Sequence, residues 1–355
     1  MFYLASYFVP FLLYYSLKNF FKKNKSDYLF YILIFIFLLF FIGLRHEVGG
    51  DWAWYIFTQL GNQESNLDKG FFDIPKDSKS DIGYLAISHF SLKLDMGIYG
   101  VNLFCAFFLI YSILKYSSLQ RLPWLTIMIA FPYILVVCGM GYVRQATALG
   151  FGILAIISLI KEKKLYFLLY IMAACLFHKT AIFFLIYLFS YNLFKNKYLL
   201  IISSIIGILF LSIFFDMYKH LIYYYIGPGQ YMSSSGYLFR YSITFISAIL
   251  FFIFYKNLSL SDAEKNIYFI NSGLVLLFSF FLFFAPVFLD RINIYLSIIQ
   301  LFIFSRLPFV FNNLTIQSFI IIIIVFFNFI YFLIWLVFAT HSSYWLPYNN
   351  LFFIK

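Results

Sequence analysis

Charge is scarce in this sequence. Only 11% of its 355 residues are charged and 64% are hydrophobic, so a soluble globule of this length could not cover its surface with polar side chains. That shortage excludes a soluble domain and requires an integral membrane protein. Cysteine is scarce too. Cys105, Cys138 and Cys175 sit in apolar runs without paired spacing, which argues against a disulfide framework or a zinc site and leaves them as small hydrophobes. The chain has no D-x-D, Walker loop, G-x-G-x-x-G, H-E-x-x-H or G-x-S-x-G, so nucleotide-loop, zincin and nucleophile-elbow chemistries have no support. It also lacks a Pro/Gly/Ser linker, and a single domain over 1–355 is expected. The first segment, "MFYLASYFVPFLLYYSL", has no basic n-region or small-residue cleavage site and reads as a retained span.

What is abundant is apolar and aromatic. The 52 Phe and 31 Tyr, with lysine far outnumbering arginine, match the bias of an AT-rich genome, so aromatic abundance alone signals no carbohydrate or nucleic-acid binding. A span needs about 20 apolar residues, and about twelve are expected. They run near 2–17, 28–44, 97–114, 123–142, 144–160, 165–177, 180–194, 198–215, 240–255, 267–288, 292–305 and 316–338. The expected fold is therefore all-α and polytopic.

The net charge of +11 is a topology signal, and no nucleic-acid partner follows from it. The loop "KNFFKKNKSD" carries Lys18, Lys22, Lys23 and Lys25, which places it inside and the N-terminus outside. By alternation the loops with Lys115 and Arg121, Lys161 to Lys164, Lys195 and Lys197, Lys256 and Lys265, and Arg306 all fall inside. Nearly all of the basic excess lies on that side. Two long segments fall outside, at about 45–96 and 216–239. The first includes a mixed-charge stretch with Asp73, Asp77 and Asp81, which lacks the Gly and Glu of a calcium loop and reads as a solvated loop. It continues into "IGYLAISHFSLKL", whose apolar spacing suits an interfacial helix. The second combines Gly-Pro-Gly with a serine run and reads as a mobile loop over an external cavity.

With this orientation, charges gather where outer helix ends should lie. "FIGLRHEVGGDWAWYIF" follows the second span, Arg144 and Gln145 open the fifth, His178 and Lys179 the seventh, Arg240 the ninth, and Asp290 with Arg291 the eleventh. Cations at helix N-termini oppose the macrodipole, at a cost of about 0.3–1 kcal/mol each. Repeated departures from a local rule at one face point to function, and an anion would compensate, because guanidinium forks and helix N-termini together bind phosphate. Each residue also has a structural alternative: interfacial Arg side chains snorkel, Asp290 and Arg291 could pair, Asp51 could hold Arg45, and His178 could be a satisfied core histidine.

The same residues carry a resemblance. "GLRHEVGGDWAWY" resembles the R-x-x-x-G-x-D-W/Y-x-x-Y element of the EpsG-like branch of Wzy polymerases, which join lipid-linked oligosaccharide repeats outside the cytoplasmic membrane. "GYVRQATALGFGILAI", "FHKTAIFF", "FLDRINIYL" and "SYWLPYNNLFF" resemble that family's R-Q-x-x-A, F-H-x-[ST]-A, D-R-x-x-x-Y and W-x-P-Y elements, in family order from Arg45 to Tyr348. A doubled glycine, Gly49 and Gly50, stands where such motifs often have one. The resemblance implies a helical bundle distantly like the polyprenyl-dependent membrane glycosyltransferases, in the bacterial cytoplasmic membrane with its active site facing outward. It implies undecaprenyl-diphosphate-linked oligosaccharides as donor and acceptor, with membrane lipid and a chain-length regulator protein as further partners; the apolar bundle itself would hold the polyprenyl tail.

Such a transfer must stabilise a diphosphate leaving group and remove a proton from the acceptor hydroxyl. Fixed cations can supply the first without metal or cofactor if preorganised. Arg144 and Arg291 are the leading diphosphate ligands, with Arg45 third and Lys179 supporting. His178 or Asp51 would take the proton. Trp52, Trp54 and Tyr55 offer faces for sugar stacking, and Gln145, Asp290, Tyr295 and Arg240 complete the expected substrate contacts. A ligase sharing the donor and a lipid-oligosaccharide flippase are the rival readings; a flippase would need its charges exposed to each side in turn. Single cysteines placed near Arg45, Arg144, His178 and Arg291 in a cysteine-free background should react with an impermeant thiol reagent in intact protoplasts. Those near Lys23, Lys163 and Lys265 should react only after lysis, and their earlier labelling would overturn the orientation.

Overall fold

The structure, a computed structural model, describes residues 1–57, 81–191, 236–283 and 285–353. Among them every regular element is helical, and the single β-bridge joins Arg45 to Asn350. The described chain divides into two compact units. The first comprises Met1–Ala155, Leu169–Ile182 and Phe319–Lys355, and the second Ile156–Leu168 and Phe183–Ser318.

The first unit begins with α1 (Phe2–Phe20) and α2 (Lys23–Gly43). Each buries a stripe at three- and four-residue spacing: Tyr3, Tyr7, Pro10, Tyr14 and Leu17 on α1, and Ser26, Phe30, Ile34, Leu38 and Phe41 on α2. The short α3 (Ile82–Lys93) leads into α4 (Gly97–Ser117), which packs against α2. Next, α5 (Pro123–Ala130) widens into a π-helical stretch, Phe131–Cys138, and resumes as Gly139–Gly141. Pro132 sits at the start of that stretch, where its missing N–H and ring bulk break the ordinary hydrogen-bond ladder. The carbonyl of Val136 is taken up by the indole N–H of Trp345, 3.2 Å away. Then come α6 (Val143–Ile160) and α7 (Lys164–Phe177), and after His178 a 3₁₀ helix over Lys179–Tyr191.

The second unit contains α8 (Tyr237–Phe254), α9 (Asp262–Phe278), α10 (Pro286–Leu296) and α11 (Ile298–Arg306). A capping box between Ser261 and Glu264 starts α9, and Glu264 also receives Arg306 at 2.5 Å. Tyr241, Ala248, Val275, Leu289, Ile292 and Leu296 form its apolar core. Polar ties cross it: Gln300 donates to Thr244 at 2.7 Å and Asn271 to Tyr187 at 2.7 Å. The last long helix, α12 (Leu314–Phe338), returns the chain to the first unit.

Six described helices are long and apolar enough to cross a membrane: α2, α4, Pro123–Gly141, α6, α8 and α12. The pair α10 and Ile298–Val310, bent by 48°, makes a seventh if counted as one span. The chain is thus polytopic. The expected count of twelve also took in segments that form shorter helices here, such as α7 and the 3₁₀ helix, and one at 198–215 that lies outside the described residues. The expected eleventh span starts earlier than anticipated. Pro286 opens α10, as proline's fixed φ suits a first helical turn.

The C-terminal segment is strapped onto the loop after α2. Leu351 N–H donates to the carbonyl of Leu44, His46 N–H to Asn349, and Gly49 N–H to Tyr344, at 2.8, 3.1 and 2.8 Å. Trp345 is buried at 2% exposure. The hydroxyl of Tyr3 donates to its carbonyl at 3.0 Å, and its ring packs edge-on against Trp335. Trp345→Ala should cost about 3–5 kcal/mol of stability, whereas Trp345→Phe, losing chiefly the bond to Val136, should cost nearer 1 kcal/mol. Unfolding measurements of the purified protein in detergent check this; a harmless Trp345→Ala would show that the strap does not hold the loop.

Candidate active site at the charged helix starts

Arg45 emerges from α2 and turns back into the protein. It is 1% exposed and donates to the carbonyls of Val48 and Ile42 and to Oδ1 of Asn102, at 3.0, 2.7 and 3.1 Å. Burial lowers its guanidinium to about 10, still charged at neutral pH, so three neutral acceptors hold a full cation. Gly49 has φ +113°, and a Cβ there would stand 2.1 Å from the Met140 carbonyl oxygen; only glycine fits this backbone and this approach. The first glycine of the pair thus has a steric task, and Gly50 lies beside the Trp345 ring. Asp51 then accepts the Tyr55 N–H through its carbonyl at 3.0 Å, opening a short helical turn over 52–57. On that turn Trp52 is half-buried and Trp54 is exposed.

Tyr55 links this loop to the next charge. It is 3% exposed, and its hydroxyl is hydrogen-bonded by both the side chain and the backbone N–H of Arg144 in the first turn of α6. Burial first, and Asp51 second, push its phenol up to about 12, so it stays protonated. Tyr84 stacks at a tilt on Tyr55, ring centroids 5.4 Å apart, and the Arg144 guanidinium lies 5.8 Å above the Tyr84 ring. An aromatic wall thereby orients the cation.

The carboxylate that meets Arg144 is Asp81. Arg144 Nη1 donates to Asp81 Oδ2 at 3.2 Å, and the backbone N–H of Lys179, first residue of the 3₁₀ helix, donates to the same carboxylate. Asp81 thus serves two helix starts at once. It is 8% exposed, which corrects the expectation of a solvated loop at this position; Asp73 and Asp77 lie outside the described residues. Burial raises the Asp81 carboxyl above the ordinary carboxylate range, against the pull of Arg144 and then of Lys179. The placement depends on Gly83, where a Cβ would come within 2.8 Å of the Leu176 carbonyl oxygen, so that α3 can lie directly on the last turn of α7. His178, between α7 and the 3₁₀ helix, has Nδ1 2.5 Å from the Thr180 hydroxyl. The sequence signal that could have found Asp81 was its spacing: a carboxylate two residues before a glycine, at the start of the helix following the first charged motif.

The second unit has its own pair. Arg240 and Asp290 form a two-pronged ion pair, Nε to Oδ1 and Nη2 to Oδ2, both at 2.8 Å. Asp290 therefore meets Arg240 head-on, beyond its sequence neighbour Arg291, which is half-buried. Because α10 starts at Pro286, Arg291 lies more than a turn inside the helix, past the reach of its dipole. Tyr295 is fully buried between the rings of Phe183 and Phe184, and Gln145 is 3% exposed on α6. Of the expected residues, the structure brings Arg144 and Lys179 to Asp81, sets Tyr55 against Arg144, places Arg45, Asp51 and Trp52 in the adjoining loop, and pairs Arg240 with Asp290.

Apolar spanning helices whose buried ion pairs lie at helix starts define a multi-pass membrane protein with a charged site. The chain belongs to the EpsG family, which it matches over residues 28–350. That match takes in all five motifs noted above and supports a role of the polysaccharide-polymerase type. No curated protein and no solved structure matches it.

Proposed function

We propose that this protein polymerises undecaprenyl-diphosphate-linked oligosaccharide repeat units at the outer face of the bacterial cytoplasmic membrane. The growing glycan moves from its lipid diphosphate to a sugar hydroxyl on an incoming lipid-linked unit. The observation that carries the reading is the convergence of Arg144 and the Lys179 N–H on one buried carboxylate. A guanidinium, an ammonium and two helix N-termini gathered around one anion are also the groups that a diphosphate recruits. The aromatic wall of Tyr55 and Tyr84 preorganises Arg144, so little reorganisation accompanies charge development on the leaving group.

In this reading Arg144 and Lys179 stabilise the diphosphate, and His178 and Asp51 flank the site. Arg45, spent on Val48, Ile42 and Asn102, holds the neighbouring loop. The exposed Trp54 ring and half-buried Trp52 offer faces to a sugar. The absence of a D-x-D motif favours fixed cations as the electrostatic element, and the apolar spans suit a polyprenyl tail.

Deletion of the chain followed by a glycan ladder gel separates this reading from its rivals. Polymerase loss leaves one repeat unit on each acceptor; loss of a ligase or flippase leaves no transferred glycan. Arg144→Lys keeps the charge but loses the planar fork, and should remove most of the ladder while the protein accumulates normally. Normal chain length in that variant would mean that Arg144 takes no part in donor binding.

A further inference from the structure

The mechanism above leaves one buried acid unused. We propose that Asp81 is the proton acceptor of the glycosyl transfer, and that the donor's diphosphate frees it for that role by taking over Arg144 and Lys179. The inference rests on the polymerase reading and adds to it both a catalytic group and its trigger.

Asp81 is the carboxylate in direct contact with the cation that would receive the leaving group. Asp51 instead precedes the 52–57 turn and acts on Tyr55, and His178 Nδ1 is engaged with Thr180. The charged and titratable groups that face Asp81 are Arg144 from α6, Lys179 from the 3₁₀ helix and Cys175 from α7; Tyr55 and Tyr84 contact Arg144 in turn. In the resting protein the carboxylate is the anion that neutralises this cluster. A diphosphate carries more negative charge and more acceptor oxygens than one carboxylate, so it competes for the same donors.

Once those donors turn to the phosphate, the carboxylate stays in a buried place without the cations that favoured its ionised form. Its affinity for a proton then rises, which improves it as a base near neutral pH. The acceptor hydroxyl gives its proton to an Asp81 oxygen as its own oxygen bonds to the anomeric carbon. The bond from that carbon to the diphosphate oxygen breaks, and the electron pair stays on the diphosphate. Departure of the lipid diphosphate returns Arg144 and Lys179 to Asp81, which lowers its proton affinity and releases the proton to the outer medium. Donor binding and base activation are thereby coupled through one residue.

The test uses the purified full chain in lipid nanodiscs, the lipid-linked unit extracted from a deletion strain as substrate, and undecaprenyl diphosphate as the binding probe. Asp81→Asn should bind the probe at least about tenfold more tightly, since a competing negative charge is gone, while turnover falls on the order of 100-fold. Its residual rate should lack the acid limb, the rise in rate with pH as the base loses its proton; His178→Gln should keep that limb. Asp81→Glu should retain partial turnover and an acid limb with a displaced midpoint. Near-normal turnover in Asp81→Asn, an intact acid limb, or probe binding no tighter than wild type would overturn the proposal. If the Asn variant does not accumulate, Asp81→Glu decides, and an unchanged midpoint overturns it. Wild-type protein that leaves the extracted unit unpolymerised sinks the polymerase reading itself; wild-type turnover matched by Asp81→Asn sinks only this inference.

Discussion

The contact between Asp81 and Arg144 organises one end of the first unit. Two helices begin there with a cation in the first turn, α6 with Arg144 and the 3₁₀ helix with Lys179, and each start adds the positive end of a helix dipole. Left unbalanced, these groups would repel one another in a partly desolvated place. One carboxylate answers both, accepting from the Arg144 guanidinium and the Lys179 N–H. Removing either partner of such a pair strands the other's charge, and the cost of a stranded charge exceeds the worth of the pair itself.

The geometry around that contact follows from steric and hydrogen-bonding constraints elsewhere. Gly83 lets α3 touch the end of α7, and the helix break at His178 leaves the Lys179 N–H to meet Asp81. Tyr55 ties Arg144 to the loop that Arg45 and the C-terminal strap hold in place. In a bilayer each backbone polar group needs a partner within the protein. Irregular helices therefore persist where a side chain supplies one, as Trp345 does for Val136 in the π-helical stretch. The first and last motifs of the sequence are in this sense one structural element.

Much of this was legible in the chain. Long apolar runs located most spanning helices, and four of the five motifs contain Arg45, Arg144, Lys179 or Asp290, each with a contact described above. The count of spans was less legible, because apolar runs such as 165–177 are too short to tell a crossing helix from a buried one. Composition marked Arg45, Arg144 and Arg240 as unusual, but not their partners. Arg45 found carbonyls near in sequence, Arg240 found Asp290 fifty residues on, and Arg144 found Asp81 sixty-three residues back. A charged residue's partner depends on which helices lie side by side, and periodicity within one helix carries no such information. Asp81 was obscured by its neighbourhood, since it closes a run of polar and charged residues that reads as solvent-exposed.

A double-mutant cycle on Asp81→Asn and Arg144→Gln measures the central contact most directly, with unfolding free energies determined in lipid bicelles. The structure predicts non-additivity, a coupling of about 1–3 kcal/mol between the two sites, as for groups sharing a buried polar contact. Losses that simply add would contradict it, and these helix starts would then owe their arrangement to something other than the shared carboxylate.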